Sequence, residues 1–94
     1  MTESTRVPVA EGVELAVDAW PGAGTPFLLV HGLASNRQLW RPVAERLAAA
    51  GHPVATVDLR GHGESDRPIS GYDLASMAAD VVAASRGLGF DRPV

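Results

Sequence analysis

Ninety-four residues, 46% of them hydrophobic and 20% charged, describe one small globular unit with too little chain to cover both faces of a large α/β sheet. A formal net charge of −3, with 8 basic residues that are all arginine and lie scattered, excludes the basic stripe of a nucleic-acid surface. The absence of cysteine removes disulfides, zinc ribbons and thiol nucleophiles together, and no stretch resembles a leader or a membrane span, so a cytoplasmic protein without membrane contact is expected.

Along the chain, residues 1 to 5 are polar and expected to fray, and Val7-Pro8-Val9 reads as a short strand before a turn at Glu11-Gly12. From Val13 to Trp20 apolar and polar residues alternate with period two, the pattern of a half-exposed strand. Pro21-Gly22-Ala23-Gly24-Thr25-Pro26 is a dense turn signal. It lacks both Gly-x-Gly-x-x-Gly and Gly-Lys-Ser/Thr, and no helix follows it, so it is not a phosphate loop. Phe27-Leu28-Leu29-Val30 has no alternation and suits a strand covered on both faces, as in a parallel sheet flanked by helices. It stops abruptly at His31-Gly32-Leu33-Ala34-Ser35-Asn36. In open α/β sheets the carboxyl ends of strands are where ligands bind, which makes the backbone of Leu33 the group of greatest interest.

Pro42 suits the first turn of a helix running to about Ala50, with Trp40, Val43, Ala44 and Leu47 inward and Arg41, Glu45 and Arg46 outward. Gly51 should end it in a left-handed cap. His52 to Asp58 reads as a second strand, parallel to the first across a βαβ crossover. Leu59 to Pro68 is then a polar loop beside the first one. A helix follows Tyr72, with Asp73 as its cap and Leu74, Met77, Ala78, Val81, Ser85 and Leu88 on one stripe; Gly87 and Gly89 close it. Asp91-Arg92-Pro93-Val94 has the look of a loop entering another strand.

Three pieces occur in one order: His31-Gly32-Leu33 with Trp40 after it, Val57-Asp58-Leu59-Arg60-Gly61-His62-Gly63-Glu64-Ser65, and Tyr72 through Val81 before Asp91 to Val94. Together they resemble the amino-terminal part of an α/β-hydrolase fold protein, over nearly all the chain from Val13 onward. The resemblance implies a mostly parallel sheet with flanking helices, incomplete at residue 94. It implies that the Leu33 backbone N–H supplies half of an oxyanion hole, with His31 and Gly32 shaping the substrate-binding loop. The nucleophile elbow, Gly-x-Ser-x-Gly, is expected on the order of six to eight residues beyond Val94, with the acid and the catalytic His later still. None of these is present here, so residues 1–94 are expected to be inactive alone.

For function, the resemblance implies an ester or lactone hydrolase acting on a small molecule through Ser-His-acid chemistry, without cofactor or metal. Dehalogenases, epoxide hydrolases and perhydrolases share the motifs, although Ala34 stands where the first two usually carry Pro. A non-catalytic binding module of the same fold is the alternative of a different class. As an isolated piece, an uncovered edge at Phe27 to Val30 would invite self-association.

Several tempting residues have plainer explanations. Asp58, His62 and Ser65 could be a local triad, but no helix starts directly after Ser65; a structural turn, with Arg60 and Asp66 paired across it and Ser65 bonded to backbone, is preferred. His31 is preferred as a structural residue over a general base. Trp40 fits the core better than the pocket lining, Met77 is core, and three histidines at this spacing match no zinc pattern.

Overall fold

Residues 2–94 are described by a computed structural model. The chain opens with a hairpin of β1 (Glu3–Ala10) and β2 (Val13–Trp20), turned at Glu11-Gly12 with Gly12 at φ 71. β3 (Phe27–Val30) follows, then a 3-10 turn at Arg37–Trp40 running into α1 (Arg41–Ala49), β4 (Val54–Val57) and α2 (Leu74–Gly87). The four strands form one sheet in the order β1-β2-β4-β3. β1 with β2 and β2 with β4 are antiparallel, and β3 with β4 is parallel. The sheet is therefore mixed, and the expected parallel pairing is confined, among the described residues, to the strands joined through α1.

Two expectations about the hairpin strands need correction. Residues 3–5 do not fray, because Glu3 lies opposite Ala19 and Ser4 opposite Asp18, with the Ser4 hydroxyl donating to the Asp18 carboxylate at 2.7 Å. β2 is not half-exposed: Leu15, Ala16, Val17 and Asp18 are all buried, since it lies between two strands and is covered on both faces. β3 is packed on both faces as expected, and it is half-buried at every residue because it lies at the edge of the sheet. Along its outer side the chain end returns: Leu28 N–H donates to the Val94 carbonyl, and Val94 N–H to that of Pro26, each at 2.8 Å.

The lack of alternation in β3 has a structural cause. Phe27 and Leu29 pack with Trp20, Ala44, Val54 and Leu47 on the α1 face, while Leu28 and Val30 join Leu15, Val17, Val57 and Ala84 on the α2 face. Both faces of the strand need apolar residues. α1 carries Pro at its start as expected, and Gly51 at φ 96 follows its end. Val43 is exposed, however, so the helix packs through Ala44, Leu47 and Ala48. α2 begins at its expected cap, with the Asp73 carboxylate accepting from Ser76 N–H at 3.1 Å. The predicted stripe holds in part: Ser85 is buried and Met77, Val81 and Leu88 are half-buried, whereas Leu74 is 85% exposed, Ala78 is exposed, and Asp80 and Ala84 take inward places that the stripe left out. Asp80 takes the inward place because Arg60 meets it there.

Candidate functional site

Because β3 and β4 run parallel in register from Phe27 opposite Val54 to Val30 opposite Val57, both deliver their following loops to the same end of the sheet. His31 to Asn36 and Asp58 to Pro68 therefore lie side by side. Four groups of contacts tie them together.

The first is His31, only 3% exposed. Its Nδ1 lies 2.6 Å from the Gly32 carbonyl and its Nε2 3.0 Å from Leu59 N. A carbonyl can only accept and an amide N–H can only donate, so one neutral tautomer, protonated at Nδ1, satisfies both. The second is His62. Its Nδ1 lies 3.0 Å from the Arg60 carbonyl and its Nε2 3.2 Å from Ala34 N, so the same logic assigns the same tautomer. The two rings lie with centroids 5.0 Å apart and planes tilted by 50°.

The third group is built on Asp58, which is fully buried. Its carboxylate accepts from Arg37 N–H at 2.6 Å and Glu64 N–H at 2.9 Å, and pairs with the Arg37 guanidinium. Arg37 also reaches Glu64 at 2.7 Å, and its Nε lies 3.2 Å from Asp18. Burial alone would lower the Arg37 pKa; the hydrogen bond to Glu64 and the negative charges of Asp18 and Asp58 outweigh it and hold the guanidinium above its ordinary value. Gly63 makes this possible. It sits at φ 50, and a Cβ there would collide with the Asp58 carboxylate.

The fourth is Arg60, whose Nε and Nη2 form a bidentate pair with buried Asp80 at 2.6 and 2.7 Å. The hydrogen bonds to Asp80 raise its pKa despite the opposing desolvation. The sequence expectation of an Arg60–Asp66 pair is thus wrong: Asp66 instead binds Arg6 at 2.6 Å and the Glu14 N–H at 2.9 Å. Arg60 turns inward because α2 presents a carboxylate there, a partner 20 residues away that no local pattern reveals.

Asp58, His62 and Ser65 are adjacent without forming a triad. Ser65 donates to the Asp58 carbonyl and accepts from Ala16 N–H at 2.8 Å, while both His62 nitrogens are engaged elsewhere. Trp40 is half-buried, and its indole nitrogen has no partner among the described residues. Among the described residues, no group of three or more His, Cys, Asp or Glu side chains could hold a metal ion, and no helix is long and apolar enough to cross a membrane.

Leu33 stands at the turn of the first loop with its side chain 82% exposed. Among the described residues no acceptor pairs with its N–H. A Cβ built at Gly32 would meet no protein atom within 4 Å. The left-handed residue is Ala34, at φ 62. A proline, with φ fixed near −65°, cannot take that conformation. A cavity of about 480 Å³ lies elsewhere, between Leu28, Val81, Phe90 and Val94 on the α2 side of the β3 edge.

Comparison with known proteins gives this geometry a context. A family profile described as alpha/beta hydrolase fold matches residues 25–94. The chain is 39% identical over 71 residues to a soluble epoxide hydrolase from Corynebacterium sp. (strain C12), covering 76% of this chain and 24% of that protein. It is 38% identical over 76 residues to a fluoroacetate dehalogenase from Burkholderia sp., covering 76% of this chain and 25% of the other. The solved structure of an esterase from Exiguobacterium antarcticum superposes with a TM-score of 0.88 at 29% identity, over 98% of this chain and 34% of that one. The chain thus spans about a quarter of the curated relatives and about a third of the esterase. With the family profile matching from Thr25 to Val94, across both loops and the parallel strands that deliver them, the chain belongs to the alpha/beta hydrolase fold family.

Proposed function

We propose that this chain is the amino-terminal portion of a hydrolase domain that cleaves carboxylic esters or lactones of small molecules. Leu33 supplies one donor of its oxyanion hole, and a Ser nucleophile, an acid and a catalytic His come from sequence outside these residues. The observation that carries this is the unpaired Leu33 N–H at the carboxyl end of β3. Acyl transfer places negative charge on a carbonyl oxygen, and a preoriented amide dipole stabilises that charge without reorganising. His31 has no free ring nitrogen, so it and Gly32 contribute through the shape of the loop.

The names of the relatives favour a second reading, opening of an epoxide or of a carbon–halogen bond. Ala34 weighs against it, since its left-handed conformation leaves no room for the proline usual there in those enzymes. A p-nitrophenyl ester assay compares residues 1–94 with a chain extended through the Gly-x-Ser-x-Gly elbow and the distal His. Turnover of the ester by the extended chain alone is expected. Turnover by residues 1–94, abolished by Ser65→Ala, would sink the proposal; turnover of epoxides or haloacids in place of esters would establish the second reading.

A further inference from the structure

The Leu33 N–H belongs to the same peptide unit as the Gly32 carbonyl. No cis peptide bond occurs among the described residues, and in a planar trans peptide C=O and N–H point in opposite directions. Whatever holds the Gly32 carbonyl therefore aims the Leu33 N–H. His31 holds it, through Nδ1–H at 2.6 Å, and the ring is anchored at its far side by the Leu59 N–H at 3.0 Å. The next peptide is held as well, by His62, whose Nε2 accepts the Ala34 N–H at 3.2 Å. Ala34, at φ 62, lies where an L-residue is disfavoured and needs such support.

We propose that His31 and His62 are paired positioning residues which aim the Leu33 N–H and strengthen it as a donor. The inference rests on the oxyanion role proposed above for Leu33. Donation from His31 to the Gly32 carbonyl polarises that peptide, and polarisation passes along a hydrogen-bonded chain from Leu59 N–H through the imidazole to Leu33 N–H. His62 fixes the peptide on the other side of Leu33, so neither flanking unit can rotate without losing an imidazole contact. Both rings must remain neutral and protonated at Nδ1. The opposite tautomer would set an N–H against the Leu59 and Ala34 amides, and a carbonyl without its donor at Gly32.

The experiment uses the whole nitrogen-15-labelled protein, with a trifluoromethyl ketone as the oxyanion-forming probe. Long-range proton–nitrogen spectra should show both imidazoles protonated at Nδ1; an Nε2–H form of either ring overturns the proposal. In the unsubstituted protein the Leu33 amide proton should move downfield when the ketone binds. His62→Leu should reduce that movement and lower kcat about tenfold with KM within about twofold, as expected for a donor misaimed rather than removed. His62→Gln, which keeps an acceptor near the position of Nε2, should restore most of both. An equal downfield movement in His62→Leu overturns the positioning role and leaves the oxyanion hole standing. No movement of Leu33 in the unsubstituted protein removes the oxyanion role itself.

Discussion

At the scale of single residues, the loops are governed by buried polar groups whose partners are distant in sequence. Arg60 and Asp80 show this most simply. Each is almost wholly removed from water and each satisfies the other through two short hydrogen bonds. Asp80→Ala should cost about 3–5 kcal/mol, because it strands a buried guanidinium, whereas replacing both partners by apolar residues should cost markedly less. Denaturant titration of the single and double variants measures the difference. Gly63→Ala tests the other fold-defining group. With φ 50 and the Asp58 carboxylate in the path of the added methyl, it should lose about 2 kcal/mol or more by the same measurement. By contrast, the Arg6–Asp66 and Arg6–Glu14 pairs are exposed, and Arg6→Gln should change stability by about 1 kcal/mol or less.

At the scale of elements, α2 depends on its first turn. Hydrogen bonds from the Ser76 hydroxyl and backbone hold the Asp73 carboxyl below its ordinary range. A carboxylate with a depressed folded pKa stabilises fully at neutral pH. That contribution fades as pH falls into the usual carboxyl range and is gone below the folded value. Helical circular dichroism followed from about pH 6 to pH 2 should therefore show an acid-side loss attributable to this cap, absent in Asp73→Asn, which keeps an acceptor that does not titrate. The cap was legible in the sequence, as were β3, the Pro42 helix start and the turn at Gly51, because each depends on neighbours a few residues away. The burial of β2 and the pairing of residues 3–5 were not, since both arise from strands meeting across the sheet. The site divides the same way. His31-Gly32-Leu33 stood out as a local motif, but burial of Arg37 rests on Asp18, Asp58 and Glu64, which no periodicity relates to it.

For the whole molecule, the sheet has a half-buried edge at β3, and beside it lies the cavity lined by Leu28, Val81 and Phe90. We propose that the rest of the hydrolase domain covers this side in the intact protein, and that residues 1–94 alone associate through it with a second copy. Sedimentation velocity should give a species larger than a monomer for residues 1–94 and a monomer-sized domain for the extended chain; a monodisperse monomer of residues 1–94 would refute the proposal. Asp58 carries a different kind of consequence. It gathers Arg37 from the end of one loop and Glu64 from the turn of another, immediately after β4. A strand slipped by one residue would exchange the two faces of β4 and pull this carboxylate away from all its donors at once. Asp58 therefore acts as a checkpoint on assembly: misaligned sheets are penalised by a stranded buried charge before any substrate is met, and the alignment that survives is the one that brings the two loops together.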